Sequence, residues 1–225
     1  MKDKPIIIVN GEPNSIFLEL LFKSLKYKKF KSPIILISSL VLLNLHMKKL
    51  KYKNKINLIN LKDLYDHKLK KNSINLINIE INLKKIINYK TESNKFISKS
   101  FEIGLEIMKL GITNRFINGP INKKNFLNNK YPGITEFLAK KTKTKKYAML
   151  IYNKNLSVCP LTTHIPIKKV SKMITRKNII EKVKLINQFF INTIKIKPRI
   201  GVVGLNPHCE SFDKFNEDEK IIKPT

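Results

Sequence analysis

Tryptophan is absent from the 225 residues, cysteines number two, glycines seven, and acidic residues 16 against 45 lysines and arginines. Each scarcity closes off a class of protein. Cys159 and Cys209 stand in neither a C-x-x-C nor a zinc-finger spacing, which excludes a disulfide framework and fits a reducing interior. Seven glycines and ten prolines are too few for a collagen-like or Pro/Gly-rich disordered chain. No apolar run is long enough for a bilayer: the longest, residues 33–44, is broken by Ser38 and Ser39 and followed by His46 and Lys48. The first residues are basic, but the apolar run behind them ends at a polar turn after four residues, which fails as a signal peptide. With 42% hydrophobic residues, a chain of this length can bury a substantial core. A folded, cytoplasmic protein with no membrane partner is expected.

The shortage of acid leaves a formal charge of +29, which by itself points to a polyanion partner. The lysines, however, are spread along nearly the whole chain among many Ile and Asn residues, and Arg is scarce. That is the mark of a general bias toward Lys, Ile and Asn. No RNP-like strand, GXXG clamp or zinc-finger spacing accompanies it, so no nucleic-acid partner is expected. A basic nucleic-acid-binding protein is the least favoured alternative.

Short apolar runs alternate with helical patterns. Residues 6–9 read as a buried strand, followed by a turn at Asn10-Gly11-Glu12-Pro13 and a helix with Ile16, Leu18, Leu20, Leu21 and Leu25 on its apolar face. Residues 34–38 begin a second such unit, whose helix runs through Leu50. Ile-rich runs at 56–59 and 74–81 predict further strands. The spacing predicts a helix over residues 93–110 with Gly111 as its C-cap. A strand at 115–118 then leads to Gly119-Pro120, and a short helix spans 135–140. Two strands at 147–152 and 156–159 form a hairpin in this reading. A long helix from Lys177 to about Ile194 has Thr175 as its N-cap candidate. A last strand covers 200–205. The alternation predicts an α/β fold with a partly parallel sheet, divided into a first lobe at residues 1–112 and a second at 113–225. Nothing follows the last strand to cover the sheet, so the chain reads as stopping in the middle of a fold.

Four histidines are present. His46, on a lysine-rich helix end, and His67, in a polar stretch, read as surface residues. His164 and His208 each follow a predicted strand, in T-T-H-I-P and L-N-P-H, with a proline nearby to fix the loop. Ligands gather at the carboxyl ends of strands in such sheets. The pair therefore reads either as two metal ligands or as structural, hydrogen-bonding histidines. A catalytic zinc keeps three protein ligands, so two imidazoles leave a third to be found; Asp213 and the glutamates of the acidic tail are candidates, although such a cluster is ordinarily solvated. Gly11-Glu12-Pro13 has the position of a phosphate-binding turn without the glycine series of a dinucleotide fingerprint. Asn122 and Lys123 after Gly119-Pro120 set an amide and an ammonium beside a turn, which suits an anionic substrate. Thr135 in Gly133-Ile134-Thr135-Glu136 sets a hydroxyl and main-chain N–H groups at a helix start, which favours phosphate.

Five blocks, in order along the chain, carry a resemblance: residues 11–19, 118–123, 133–137, 161–166 and Gly204-Leu205-Asn206-Pro207-His208. Together they resemble the 4-hydroxythreonine-4-phosphate dehydrogenase family of pyridoxal phosphate biosynthesis. The resemblance implies a two-domain α/β/α dehydrogenase of the isocitrate/isopropylmalate dehydrogenase-like type, truncated here before its C-terminal part. It implies NAD- or NADP-dependent oxidation of the secondary hydroxyl of 4-phosphooxy-L-threonine to a β-keto acid that loses CO₂. It further implies a homodimer and a divalent metal (Zn, Mg or Co) held by three histidines. His164 and His208 match two of them, and Thr135 matches a substrate-contacting threonine.

Three departures from the family pattern stand out. The third metal histidine, in a Y-H-D-Q-G-like segment, and the lysine, asparagine and arginine downstream of it have no counterpart here. Ile134 replaces the histidine of the family's G-H-T-E block, and Asn122 replaces that of its G-P-x-H-K block; Asn122 hydrogen-bonds but cannot become a cation. Weak metal binding and little or no oxidation are thus expected of these 225 residues. Two alternatives follow: a dehydrogenase of another phosphorylated hydroxy acid, such as a four-carbon sugar-acid phosphate, which Ile134 keeps open, and an inactive truncated homologue.

Overall fold

A computed structural model describes residues 4–27, 29–64, 69–88, 90–128, 130–209 and 215–225. His67, Glu210 and Asp213 lie outside these. The chain divides into two compact units, Met1–Lys130 and Tyr131–Thr225.

In the first unit β1 (Ile6–Val9), α1 (Phe17–Tyr27), β2 (Ile34–Ser38), α2 (Leu40–Lys49), β3 (Ile56–Leu58), β4 (Ile74–Asn78), α3 (Leu83–Asn88), α4 (Lys90–Lys109), β5 (Phe116–Asn118) and α5 (Lys123–Phe126) follow one another. The five strands form one sheet in the order β3-β4-β2-β1-β5, and every pairing is parallel. All five residues of β2 are buried, as expected when a parallel sheet is covered on both faces and its strands lose their in-out alternation. On one face Ile8, Leu36 and Leu76 join Leu18, Leu21 and Phe22 of α1 and Leu42 and Leu43 of α2 in one apolar cluster. α4 packs against β1 and β2. Its Phe96, Ile97, Phe101 and Ile107 recur at helical spacing and are buried, each stabilising by roughly 1.5–3 kcal/mol.

Two polar residues hold this sheet from within. Asn75 of β4 is fully buried; its Nδ2 donates to the carbonyls of Ile34 and Lys70, both at 2.9 Å, and its Oδ1 accepts from the Lys70 N–H at 2.8 Å and from Asn57 Nδ2 at 2.9 Å. Thr113 Oγ1 donates to the Pro5 carbonyl at 2.6 Å and accepts from the Arg115 N–H at 3.1 Å, joining the approaches to β1 and β5.

The boundary between units differs from the expected one. Residues 113–130 cluster with the first unit because β5 adds to β1, with Ile7 opposite Phe116 and Val9 opposite Asn118.

The second unit contains α6 (Ile134–Lys141), a 3₁₀ turn at Ile167–Lys169, α7 (Val170–Met173) and α8 (Arg176–Phe189), which continues as one wide turn over Phe190–Ile194. Thr175 caps α8, its Oγ1 accepting from the Asn178 N–H at 3.2 Å, as its sequence position predicts. Asp218 is buried, and its Oδ1 accepts from the Leu205 N–H at 2.9 Å; this acidic side chain of the tail fastens a loop and is not simply solvated.

Three predicted strands of this unit are not formed. The hairpin is reduced to one antiparallel bridge, Ile151 to Val158, and residues 200–205 join no ladder. Ladders draw their stability from side chains packed on a buried face, and here that face is missing: Ile151, Leu156, Val158 and Val203 are all more than half exposed.

Candidate functional site

In the second unit, Gly133 is the N-cap of α6, where there is little room for a side chain. A Cβ there would lie 3.0 Å from Oε2 of Glu136 and 3.7 Å from Nε2 of His164. Thr135 and Glu136 in the first turn of α6, Tyr147, Thr163, His164 and Lys182 of α8 line one small pocket of about 30 Å³, completed by Met149, Pro160 and Leu161. The 133–137 and 161–166 blocks are thereby brought together. His164 turns the chain with a φ of 55°, an uncommon conformation for a residue with a side chain.

The pocket is polar in a particular way. Oε2 of Glu136 is buried and has no hydrogen-bond partner, and an unmatched buried acceptor costs about 1–3 kcal/mol, more when charged. Lys182 Nζ donates to the Tyr147 carbonyl at 2.8 Å and stands 5.7 Å from the centre of that residue's ring. Burial pushes the nearby Cys159 thiol above its usual range, opposed by the charge of Lys182.

Of the residues expected to form the site, Thr135 and His164 share this pocket. Ile134 opens α6 but does not line the pocket. His208 is exposed elsewhere in the same unit, its main-chain N–H donating to Asn206 Oδ1 at 2.9 Å. Asn122 and Lys123 belong to the first unit. Asn122 is the N-cap of α5, its Oδ1 accepting from the Asn125 N–H at 3.1 Å, and Lys123 is exposed. Glu136 belongs to the 133–137 block, but nothing in the sequence marks its burial; Tyr147 and Lys182 carry no signal in a chain with seven tyrosines and with lysine throughout.

Among the described residues no group of three or more His, Cys, Asp or Glu side chains is placed to hold a metal ion, so His164 and His208 are an incomplete donor set. The turn after β1 is tied to the rest of the first unit: the Glu12 N–H donates to the Pro120 carbonyl at 2.7 Å, and Glu12 Oε1 accepts from Ser93 Oγ at 2.7 Å. The first unit also has a cleft of about 240 Å³ between the segment after β4 and α4, lined by Ile79, Glu92, Lys95 and Phe96 among others; it contains none of the residues expected for the site.

The family model for the pyridoxal phosphate biosynthetic protein PdxA matches residues 29–225. The chain belongs to this family. A 4-hydroxythreonine-4-phosphate dehydrogenase of Aquifex aeolicus (strain VF5) is 45% identical over 89 residues, 40% of this chain and 28% of the relative. A D-threonate 4-phosphate dehydrogenase of Pectobacterium atrosepticum is 32% identical over 118 residues, 51% of this chain and 36% of the relative. The chain thus spans about a third of the length of these curated PdxA-like relatives. A solved structure of 4-hydroxythreonine-4-phosphate dehydrogenase from Klebsiella pneumoniae superposes with a TM-score of 0.80 at 22% identity, covering 97% of this chain and 70% of that one. The fold is therefore that of the PdxA dehydrogenases, the isocitrate/isopropylmalate dehydrogenase-like type. No helix among the described residues is long and apolar enough to cross a membrane.

Proposed function

We propose that the chain serves the oxidation of 4-hydroxythreonine 4-phosphate in pyridoxal phosphate biosynthesis, in the cytoplasm and as a homodimer, with NAD or NADP as hydride acceptor. In the net reaction the secondary hydroxyl loses a hydride and a proton, and the resulting β-keto acid releases its carboxylate as CO₂. The observation that carries this reading is the pocket in which Thr135 and His164, from two separate family blocks, face one space. Thr135 offers a hydroxyl that both donates and accepts, suited to a phosphate ester or a substrate hydroxyl. His164 and His208 are read as two ligands of a divalent metal (Zn, Mg or Co). Because the donor set is incomplete, no step is assigned to the metal. The substrate-binding role of Asn122, Lys123 and Ile134 is part of the proposal; for Asn122 it has to coexist with the capping of α5.

A second reading is favoured by the relatives named D-threonate 4-phosphate dehydrogenase and by Ile134 in place of the family histidine: oxidation of a four-carbon sugar-acid phosphate. The test is to give the full chain each substrate with NAD⁺ or NADP⁺, with and without Zn²⁺, Mg²⁺ or Co²⁺, while following reduced nicotinamide and CO₂. Turnover of 4-hydroxythreonine 4-phosphate with the higher kcat/KM supports the first reading, and preference for D-threonate 4-phosphate the second. No turnover of either rejects dehydrogenase activity for this chain and leaves the inactive homologue.

A further inference from the structure

We infer that Lys182 receives an anionic oxygen of the phosphorylated substrate in the pocket formed by Thr135, Glu136 and His164. The inference rests on the reading of that pocket as the substrate site, and it assigns a residue that none of the family blocks contains.

Lys182 is the one lysine among the pocket's described lining residues, although the chain is rich in lysine throughout. Its ammonium is held in place. One N–H is taken by the Tyr147 carbonyl at 2.8 Å, and the ring of the same residue lies beneath the charge at 5.7 Å. An ammonium has three donors, so two stay available for a ligand. Its charge is also unneutralised. The adjacent Glu181 pairs instead with Lys146 at 3.8 Å, and among the described residues no carboxylate stands within ion-pair distance of Lys182.

The same pocket also carries the opposite charge. Glu136 holds a buried carboxylate oxygen without a donor, so it repels an anion and welcomes an N–H or O–H. A ligand that carries both an anionic group and a donor is thereby oriented, with its anion at Lys182 and its donor at Glu136. Both phosphorylated substrates considered above have that form.

The test uses the full chain and inorganic phosphate as the probe, with binding followed by calorimetry and by the thermal midpoint. Lys182→Met and Lys182→Gln are compared with Lys184→Met, an exposed lysine of the same helix, which controls for the general basic charge. Loss of a charged hydrogen bond predicts about a tenfold or larger fall in phosphate affinity for both Lys182 variants, no change for Lys184→Met, and recovery in Lys182→Arg. Circular dichroism checks that each variant folds; the Arg variant carries the test if the neutral ones do not, since charge retained at the same site has to retain binding. Equal losses in Lys182→Met and Lys184→Met, or wild-type chain that does not bind phosphate, overturn the inference. The outcome is separable from that of the dehydrogenase assay: phosphate binding that depends on Lys182 without turnover supports the anion site and rejects only the reaction.

Discussion

Glu12 and Pro120 are joined through their main chains at 2.7 Å, so the turn after β1 and the turn after β5 cross in contact. Such a crossing has no room for side chains. Gly11 adopts a φ of +71°, and a Cβ on it would press on the Pro120 carbonyl oxygen; one on Gly119 would press on the Asn10 carbonyl oxygen. Gly11→Ala is expected to destabilise the chain by about 3 kcal/mol, combining left-handed strain with overlap. Urea unfolding measures it, and an unshifted midpoint would mean that the two turns part freely.

Asn75 carries a second prediction. Replacing it by Leu keeps the branched outline, with a larger side chain, but strips partners from the Ile34 carbonyl, from both main-chain groups of Lys70 and from Asn57. The expected loss is roughly 2–4 kcal/mol, in spite of the more apolar side chain. A variant as stable as the parent would place those groups in contact with water.

Acidification should act through His46. Burial, followed by the charge of Lys49, holds its imidazole below the usual value of 6.5, with Glu19 opposing. In the window between that lowered value and about 6.5 the unfolded chain binds the proton and the folded chain does not. Stability from this group is complete above about 6.5 and declines as pH falls through the window. Unfolding midpoints taken across pH 5–7 should slope less in His46→Gln than in the parent; identical slopes would assign the dependence to other groups.

The two thiols should react at different rates. Cys209 is exposed, whereas Cys159 is half-buried and its pKa is raised by burial. The thiolate is the nucleophile, so iodoacetamide at neutral pH is expected to label Cys209 first. Peptide mass mapping of a time course would reveal the reverse order if Cys159 were activated by Lys182.

What could be read from the residues was local. β1 and β2 begin and end where the isoleucine runs do, and Thr175 caps α8, because burial on both faces and a single side-chain oxygen leave a signature a few residues long. Pairing between distant segments leaves none. β5 was assigned to the second lobe, since nothing at residues 115–118 announces a partner more than a hundred residues earlier. The strands expected at 147–159 and 200–205 have the right composition and no surface to cover. Asn75 lies in an otherwise apolar run, and nothing in the sequence marks it as the buried four-bond junction it forms. In the pocket, Thr135 and His164 were legible through their blocks. Lys182 is hidden by the abundance of lysine, and its place in the pocket together with its tether to Tyr147 separates it from the rest.

The sheet order also sets a timetable for synthesis. β1 is made first, yet it lies between β2 and β5, and Ile7 finds its neighbour on the far side only at Phe116. While the ribosome works through the intervening residues, one rim of this isoleucine-rich strand has free amide and carbonyl groups. A bare rim of that kind pairs readily with another nascent chain. The hazard for the first unit therefore lies in translation, and it ends when residues 116–118 emerge and close the rim.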